Sequence, residues 1–308
     1  MLRPFTLHRP ASADEACALL AELGEDAAVY AGGTELLLLM KLGLLRPRHL
    51  VDVKRIPGFT EIADGERLTI GAAVTHRTLE QSALVHARCP IITTVARHVA
   101  NVRIRNVGTL GGNLSFADPH SDPATLLLTL DAAVELRSPR GRRELALDDF
   151  VRGPWETARA ADEVLESVKL RPWPRDTYAA YVKFGVHERP TLAVAAMLRL
   201  DTTSRQGETG ATRIVEARIA IGCVNPRPTR APAAEARLVG VSIADVERAA
   251  REASELAAAC ADPADDLYGS ADYKREMVAV FVRRSLRIAA ARAGGTEPVE
   301  RFPHAIVA

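Results

Sequence analysis

Residues 105–124 read RNVGTLGGNLSFADPHSDPA, and neither a helical nor a strand period runs through them. Three glycines, two prolines and several short polar side chains in this stretch predict a long ordered loop. A loop of that length inside a compact domain is usually functional, so the flanking elements must be packed well enough to hold it still. A second glycine pair, Gly32–Gly33 in AGGTEL, follows a short β run at Val29 and Tyr30 and precedes a leucine-rich helix. Paired glycines let a backbone approach a ligand and aim successive N–H groups at one anion, to which a helix N-terminus adds partial positive charge. Together, two such segments could grip a pyrophosphate from two sides. For either pair alone a tight turn is the plainer reading. Neither has the GxGxxG or GxxxxGK[ST] spacing, so the sequence supports neither a Rossmann nor a P-loop site.

The flanks show regular patterns. SADEACALLAEL, with Ser12 as N-cap and Gly24 as stop, predicts a helix. HLVDV and RLTIGAAV predict strands, and residues 78–102 return to a helical pattern. After the long loop, ATLLLTLDA reads as a buried helix, AVELRSPRGRREL as two strands around a turn, and ADEVLESVKLRP as a strand ending before Pro172 and Pro174. TYAAYVKFGV, TLAVAAMLRLD and IVEARIAIGCV then predict a second sheet. IADVERAAREASELAAACA and SADYKREMVAVFVRRSLRIAAARA predict the helices that pack it. The expected organisation is a domain over 1–174, an α+β domain over 175–295 and a tail over 296–308.

Charge and cysteine content narrow the function. Forty basic against thirty-nine acidic residues leave a formal charge of +1, without the basic excess that nucleic-acid binding needs. The apolar run Leu36–Met40 stops at Lys41, far short of the roughly 20 residues that cross a bilayer, so no integral membrane protein is expected. The N-terminal MLRPFTLHRP has no apolar signal core, and cytoplasmic residence is expected. Cys17, Cys89, Cys223 and Cys260 show no CxxC spacing; they are expected to be buried thiols rather than ligands of zinc or an iron–sulfur cluster.

The order AGGTEL, then LxxPRHLVDVKRI, then RIRNVGTLGGNLSFADPHSD resembles the FAD-binding subunits of the xanthine and carbon monoxide dehydrogenase family of molybdenum hydroxylases. YVKFGVHERPTLAVAAMLRL resembles that family's second flavin-contacting stretch, and SADYKREMVAVFVRRSL its C-terminal helix, so the resemblance spans nearly the whole chain. It implies an α+β fold: a vanillyl-alcohol-oxidase-like, PCMH-type FAD domain of two α/β subdomains, followed by a C-terminal antiparallel sheet with helices. By the same resemblance Ala31, Gly32, Gly33, Thr34, Glu35 and Leu36 wrap the FAD pyrophosphate, and Thr109, Gly111, Gly112 and Asn113 close on it. Ser115, Phe116, Ala117 and Asp118 fall where the chain passes the flavin ring. Asp122 matches an acceptor for the adenosine ribose. Val164 and Leu165 match positions near the adenine, and Lys183 a lysine near the isoalloxazine. The loop with His187, Glu188 and Arg189 is expected to tune acceptor access, while Arg103 and Arg105 face the flavin loop, a partner or solvent.

The resemblance also implies assembly. The FAD is expected to be non-covalent, with the molybdenum cofactor and two iron–sulfur clusters on a large molybdopterin subunit and a small iron–sulfur subunit. The complex is expected as a dimer of heterotrimers, with quinone, oxygen or NAD as acceptor. No Cys-rich insertion of the benzoyl-CoA reductase branch interrupts GGNLSFADPHSD, which makes that branch less fitting. Two rival readings are a stand-alone flavin oxidase, which would need its own catalytic acid or base, and a flavin-free assembly scaffold.

Overall fold

The computed structural model describes residues 2–185, 189–201, 212–297 and 302–308. The chain divides into two compact units, residues 1–118 with 131–172, and residues 119–130 with 173–308. The chain passes from the first unit to the second between Pro172 and Trp173. The assignment of residues 119–130 to the second unit departs from the contiguous 1–174 domain that the sequence suggested.

The first unit opens on a parallel sheet of β1 (Thr6–His8), β2 (Ala27–Tyr30) and β3 (His49–Asp52), ordered β1-β3-β2. Helix α1 (Ala13–Leu23) links the first two strands; Ser12 caps it by accepting from the Glu15 N–H, and Ala16, Cys17 and Leu20 turn inward. Helix α2 (Leu36–Leu42) links β2 to β3 and stops at Gly43 in the left-handed region. A second sheet begins with β4 (Ile62–Ala63) and β5 (Leu68–Gly71). Residues 76–97, within the stretch read as helical, form three short helices, α3 (His76–Gln81), α4 (Ala83–Arg88) and α5 (Pro90–Arg97). Ser82 caps α4 and Pro90 opens α5, and each of these residues interrupts the helix before it.

The expected long loop is mostly helical. Asn101 caps α6 (Val102–Val107) and Thr109 caps α7 (Leu110–Phe116), both by accepting backbone N–H groups. Glycines inside so short a helix erased the periodicity that would have announced it. Helix α8 (Asp122–Leu128) goes to the second unit. The first unit then completes its antiparallel sheet, ordered β4-β5-β10-β6-β7, with β6 (Ala133–Ser138), β7 (Gly141–Ala146) and β10 (Val164–Leu170). Between them lie α9 (Leu147–Phe150) and the hairpin of β8 (Val151–Gly153) and β9 (Glu156–Thr157).

The second unit is an antiparallel sheet ordered β14-β13-β12-β11-β15, built from β11 (Thr177–Phe184), β12 (Leu192–Leu200), β13 (Ile214–Gly222), β14 (Thr229–Arg230) and β15 (Ala305–Val307). The expected tail therefore supplies an edge strand, with Val307 opposite Val182. Helices α10 (Pro232–Leu238), α11 (Val246–Ala259) and α12 (Ala271–Ala293) share one core with Leu192, Val194, Ala196, Leu198 and Leu200 of β12. The intervening Ala193, Ala195 and Met197 point to the other face, which α8 covers. A strand buried on both faces reads as a continuous apolar run, which is why TLAVAAMLRL lacks alternation. Gly222 makes the α8 packing possible, since a Cβ there would lie 2.0 Å from the Thr125 hydroxyl oxygen.

Candidate cofactor site

The first glycine segment leaves β2 under tight local control. The Val53 N–H donates to the Tyr30 carbonyl at 3.1 Å, and the Lys54 ammonium donates to the Ala31 carbonyl at 3.0 Å. That ammonium also pairs with buried Asp52 at 2.7 Å and lies 3.8 Å from the Tyr30 ring centroid. Gly33 takes φ +69°, a conformation that favours glycine, and a Cβ there would lie 2.6 Å from the Tyr30 ring. At Gly32 a Cβ would lie 2.1 Å from the Val107 carbonyl oxygen and 2.8 Å from the Gly108 Cα. The two glycine segments thus meet backbone on backbone, and only a missing side chain permits it. Among the described residues, the N–H groups of Gly32, Gly33 and Thr34 have no protein acceptor. Three consecutive uncommitted donors at one bend suit an anion.

The second segment has a different economy of donors. Leu110 donates its N–H to the Val74 carbonyl and Gly111 to the Ala72 carbonyl, each at 2.9 Å. Gly112 donates to the Thr109 hydroxyl at 3.1 Å, and Asn113 to the Thr109 carbonyl at 2.9 Å. The expectation that these N–H groups aim at an anion is corrected: the protein already uses them. What the glycines supply is space. A Cβ on Gly111 would lie 2.5 Å from that of Ala72, so this residue is needed for packing. A Cβ on exposed Gly112 would meet the Thr109 hydroxyl at 2.7 Å and otherwise enter open space. Ser115, one turn further along α7, shares that outward face. At the end of α7, Ala117 is left-handed and its carbonyl accepts the Trp155 N–H at 2.9 Å.

Behind this segment stands His76, which sequence reasoning passed over. Its main-chain N–H donates to the Gly108 carbonyl at 3.0 Å, its ring is buried, and Nδ1 has no hydrogen-bond partner among the described residues. Burial, with a smaller push from the Arg105 charge, lowers its pKa to about 4, so the ring is neutral near pH 7. Arg105 itself is engaged by Glu80 at 3.1 Å. Val164 and Leu165 have side chains buried in the sheet, which leaves their main chain as what they can offer a ligand.

Asp122 and Lys183 belong to the second unit, and the structure joins them. The Lys183 ammonium donates to Asp122 Oδ2 at 2.8 Å, and the hydroxyl of buried Tyr181 donates to Oδ1 at 2.8 Å. Burial first, and the Asp122 charge second, raise the Tyr181 pKa well above its ordinary value, so it stays a donor. Tyr181 was missed, although strand alternation in TYAAYVKF places it on the same face as Lys183. His187 and Glu188 lie outside the described residues. Cys17, Cys89 and Cys223 are buried as expected, but Cys260 is exposed. Burial pushes the Cys17 thiol up to about 11 and Cys89 higher still, which makes both poor nucleophiles. Among the described residues, no group of three His, Cys, Asp or Glu side chains is placed to hold a metal. Nor is any described helix long and apolar enough to cross a membrane.

Residues 3–173, more than half of the chain, match the family model for the FAD binding domain in molybdopterin dehydrogenase. The chain belongs to this flavoprotein family. Residues 179–289 match the CO dehydrogenase flavoprotein C-terminal domain. The carbon monoxide dehydrogenase medium chain of Hydrogenophaga pseudoflava is 34% identical, covering 94% of this chain and 98% of its own. The nicotine 6-hydroxylase medium subunit of Paenarthrobacter nicotinovorans is 35% identical, with 92% and 96% covered. Among solved structures, carbon monoxide dehydrogenase from Hydrogenophaga pseudoflava superposes with a TM-score of 0.87 at 35% identity over 95% of this chain and 99% of that one. Quinoline 2-oxidoreductase from Pseudomonas putida 86 gives 0.86 at 33% identity, with the same coverage. This member of the flavoprotein family therefore has the fold that the sequence resemblance implied, an FAD-binding domain followed by an antiparallel sheet with helices.

Proposed function

We propose that this chain is the electron outlet of a molybdenum hydroxylase complex, taking electrons from the iron–sulfur clusters of a small partner subunit and passing them to quinone, oxygen or NAD. The observation that carries the reading is the run of N–H donors from Gly32 to Thr34 that have no acceptor among the described residues, lying where the backbone meets Val107 and Gly108. When bound, FAD supplies both one-electron and two-electron chemistry, which suits a subunit between a cluster and a two-electron acceptor.

The chain's own residues bind and orient. Gly32, Gly33 and Thr34 would donate to the pyrophosphate, and Lys54 fixes the Ala31 carbonyl beside them. Gly112 and Ser115 keep the outward face of α7 low enough for a ligand to lie against it. Asp122, fixed by Tyr181 and Lys183, keeps acceptor capacity for a ribose hydroxyl. We place the substrate chemistry on a large molybdenum subunit and the whole in a dimer of heterotrimers. Cytoplasmic residence fits four cysteines that are all free thiols.

The test uses the purified chain. It should carry non-covalent FAD, released completely by acid precipitation, and dithionite should bleach the flavin band. Purine, aldehyde or carbon monoxide should leave that band unchanged until the small and large subunits are added. Bleaching by substrate without partners would move the chain to a stand-alone oxidase, and absence of flavin would leave only a scaffold.

A further inference from the structure

Residues 52–54, where β3 ends, brace the bend that follows β2. The Val53 N–H holds the Tyr30 carbonyl, and the Asp52 carboxylate accepts both the Lys54 main-chain N–H at 3.1 Å and the Lys54 ammonium at 2.7 Å. Asp52 is buried, so its carboxylate is a fixed anchor, and it sets the ammonium where two parts of the bend are in reach at once. One is the Ala31 carbonyl, 3.0 Å away. The other is the Tyr30 ring, whose centroid lies 3.8 Å from the ammonium and whose Cε2 edge a Cβ on Gly33 would meet at 2.6 Å.

The consequence for ligand binding follows from the planarity of the peptide unit. The Ala31–Gly32 bond is trans, so its carbonyl oxygen and the Gly32 N–H point to opposite sides. An ammonium that grips the oxygen therefore turns this N–H to the far side of the peptide, and it polarises the unit so that the N–H donates more strongly. The same ammonium holds the ring against which Gly33 is seated. We propose that Lys54 is a positioning residue for the diphosphate of the cofactor: it touches no phosphate, but it fixes the direction of the leading N–H donors in the run Gly32–Thr34. This rests on the flavin-binding reading of that run. Net charge contributes little, since Asp52 neutralises the ammonium at contact distance.

The experiment titrates FAD into the flavin-free full chain and follows flavin fluorescence for wild type, Lys54→Met, Lys54→Arg and the double variant Asp52→Asn/Lys54→Met. Lys54→Met should weaken FAD binding about tenfold, the order expected for losing one charge-assisted hydrogen bond. Lys54→Arg should recover most of that loss, because a guanidinium can still donate to the Ala31 carbonyl, pair with Asp52 and stack on Tyr30. The double variant removes one charge of each sign and keeps the net charge of wild type, so it should bind as weakly as Lys54→Met. Recovery of affinity there would mean that the charge itself attracts the diphosphate, and would overturn the positioning role. The Lys54 side chain is 37% exposed, so the melting temperature of the flavin-free chain should shift by less than about 4 °C in Lys54→Met. A larger fall in melting with no rescue by arginine would make Lys54 a brace of the fold alone, and wild-type affinity in Lys54→Met would also end the proposal. Failure of the flavin-binding reading looks different: the wild-type chain itself would not take up FAD.

Discussion

Gly32–Gly33 and Gly111–Gly112 are both adjacent glycines in polar text, and the backbone around them is arranged in opposite ways. The first pair bends away from a parallel strand, one residue takes a left-handed φ, and three N–H groups are left without protein acceptors among the described residues. The second pair is helical, lies in the first turn of α7, and its N–H groups are consumed by Ala72 and the capping Thr109. Glycine is used for donors at one site and for clearance at the other. A doubled glycine therefore says that something approaches closely, and the hydrogen-bond inventory says whether that something is a ligand or the protein itself.

The contrast can be broken most forcefully at Gly32. Gly32→Ala sets a methyl against the Val107 carbonyl, backbone against backbone, with no flexible side chain to yield. The first unit should lose about 3 kcal/mol or more of stability, the upper end for overpacking, read as a drop in the melting temperature together with loss of flavin. A variant with wild-type melting would mean that the two segments are not held together there.

The next largest effect concerns what supports the second segment. His76 is held neutral, with a folded-state pKa of about 4 against an ordinary 6.5. Between those values the unfolded chain binds a proton that the folded chain does not, so stability falls as the pH drops through that window and the loss levels off below it. At pH 5 the cost is about 2 kcal/mol, by the usual conversion of a pKa difference into free energy. Denaturant unfolding at pH 7 and pH 5 should show it, and His76→Leu should flatten the slope. An unchanged slope would separate His76 from the acid sensitivity of this unit.

The smallest effect is the sharpest discriminator. Gly112→Val puts a side chain 2.7 Å from the capping Thr109 hydroxyl and otherwise in open space, so the cap must shift and the fold should lose about 1 kcal/mol. FAD affinity should nonetheless fall about tenfold, equivalent to ~1.4 kcal/mol, measured by flavin fluorescence on titration. Unaltered affinity would confine the second pair to internal packing and leave the ligand to the first pair alone.

Much of this protein was legible from its residues. The capped helix at Ser12, the β run before AGGTEL and the strands of both sheets follow from side-chain period and turn residues, which are local properties. The ordered motifs AGGTEL and TLGGNLSFADPHSD were enough to identify the flavoprotein family that the match over residues 3–173 then established. Tertiary structure alone decided the rest. It sent α8 to the second unit to cover β12 and β13, brought Asp122, Tyr181 and Lys183 into one cluster, turned residues 305–307 into an edge strand, and gave the N–H groups of Leu110 and Gly111 to carbonyls more than thirty residues away. The reason is common to all four. Periodicity records which face of an element is buried, but a polar group's partner is set by contacts between segments remote in sequence, and those exist only once the sheets are packed.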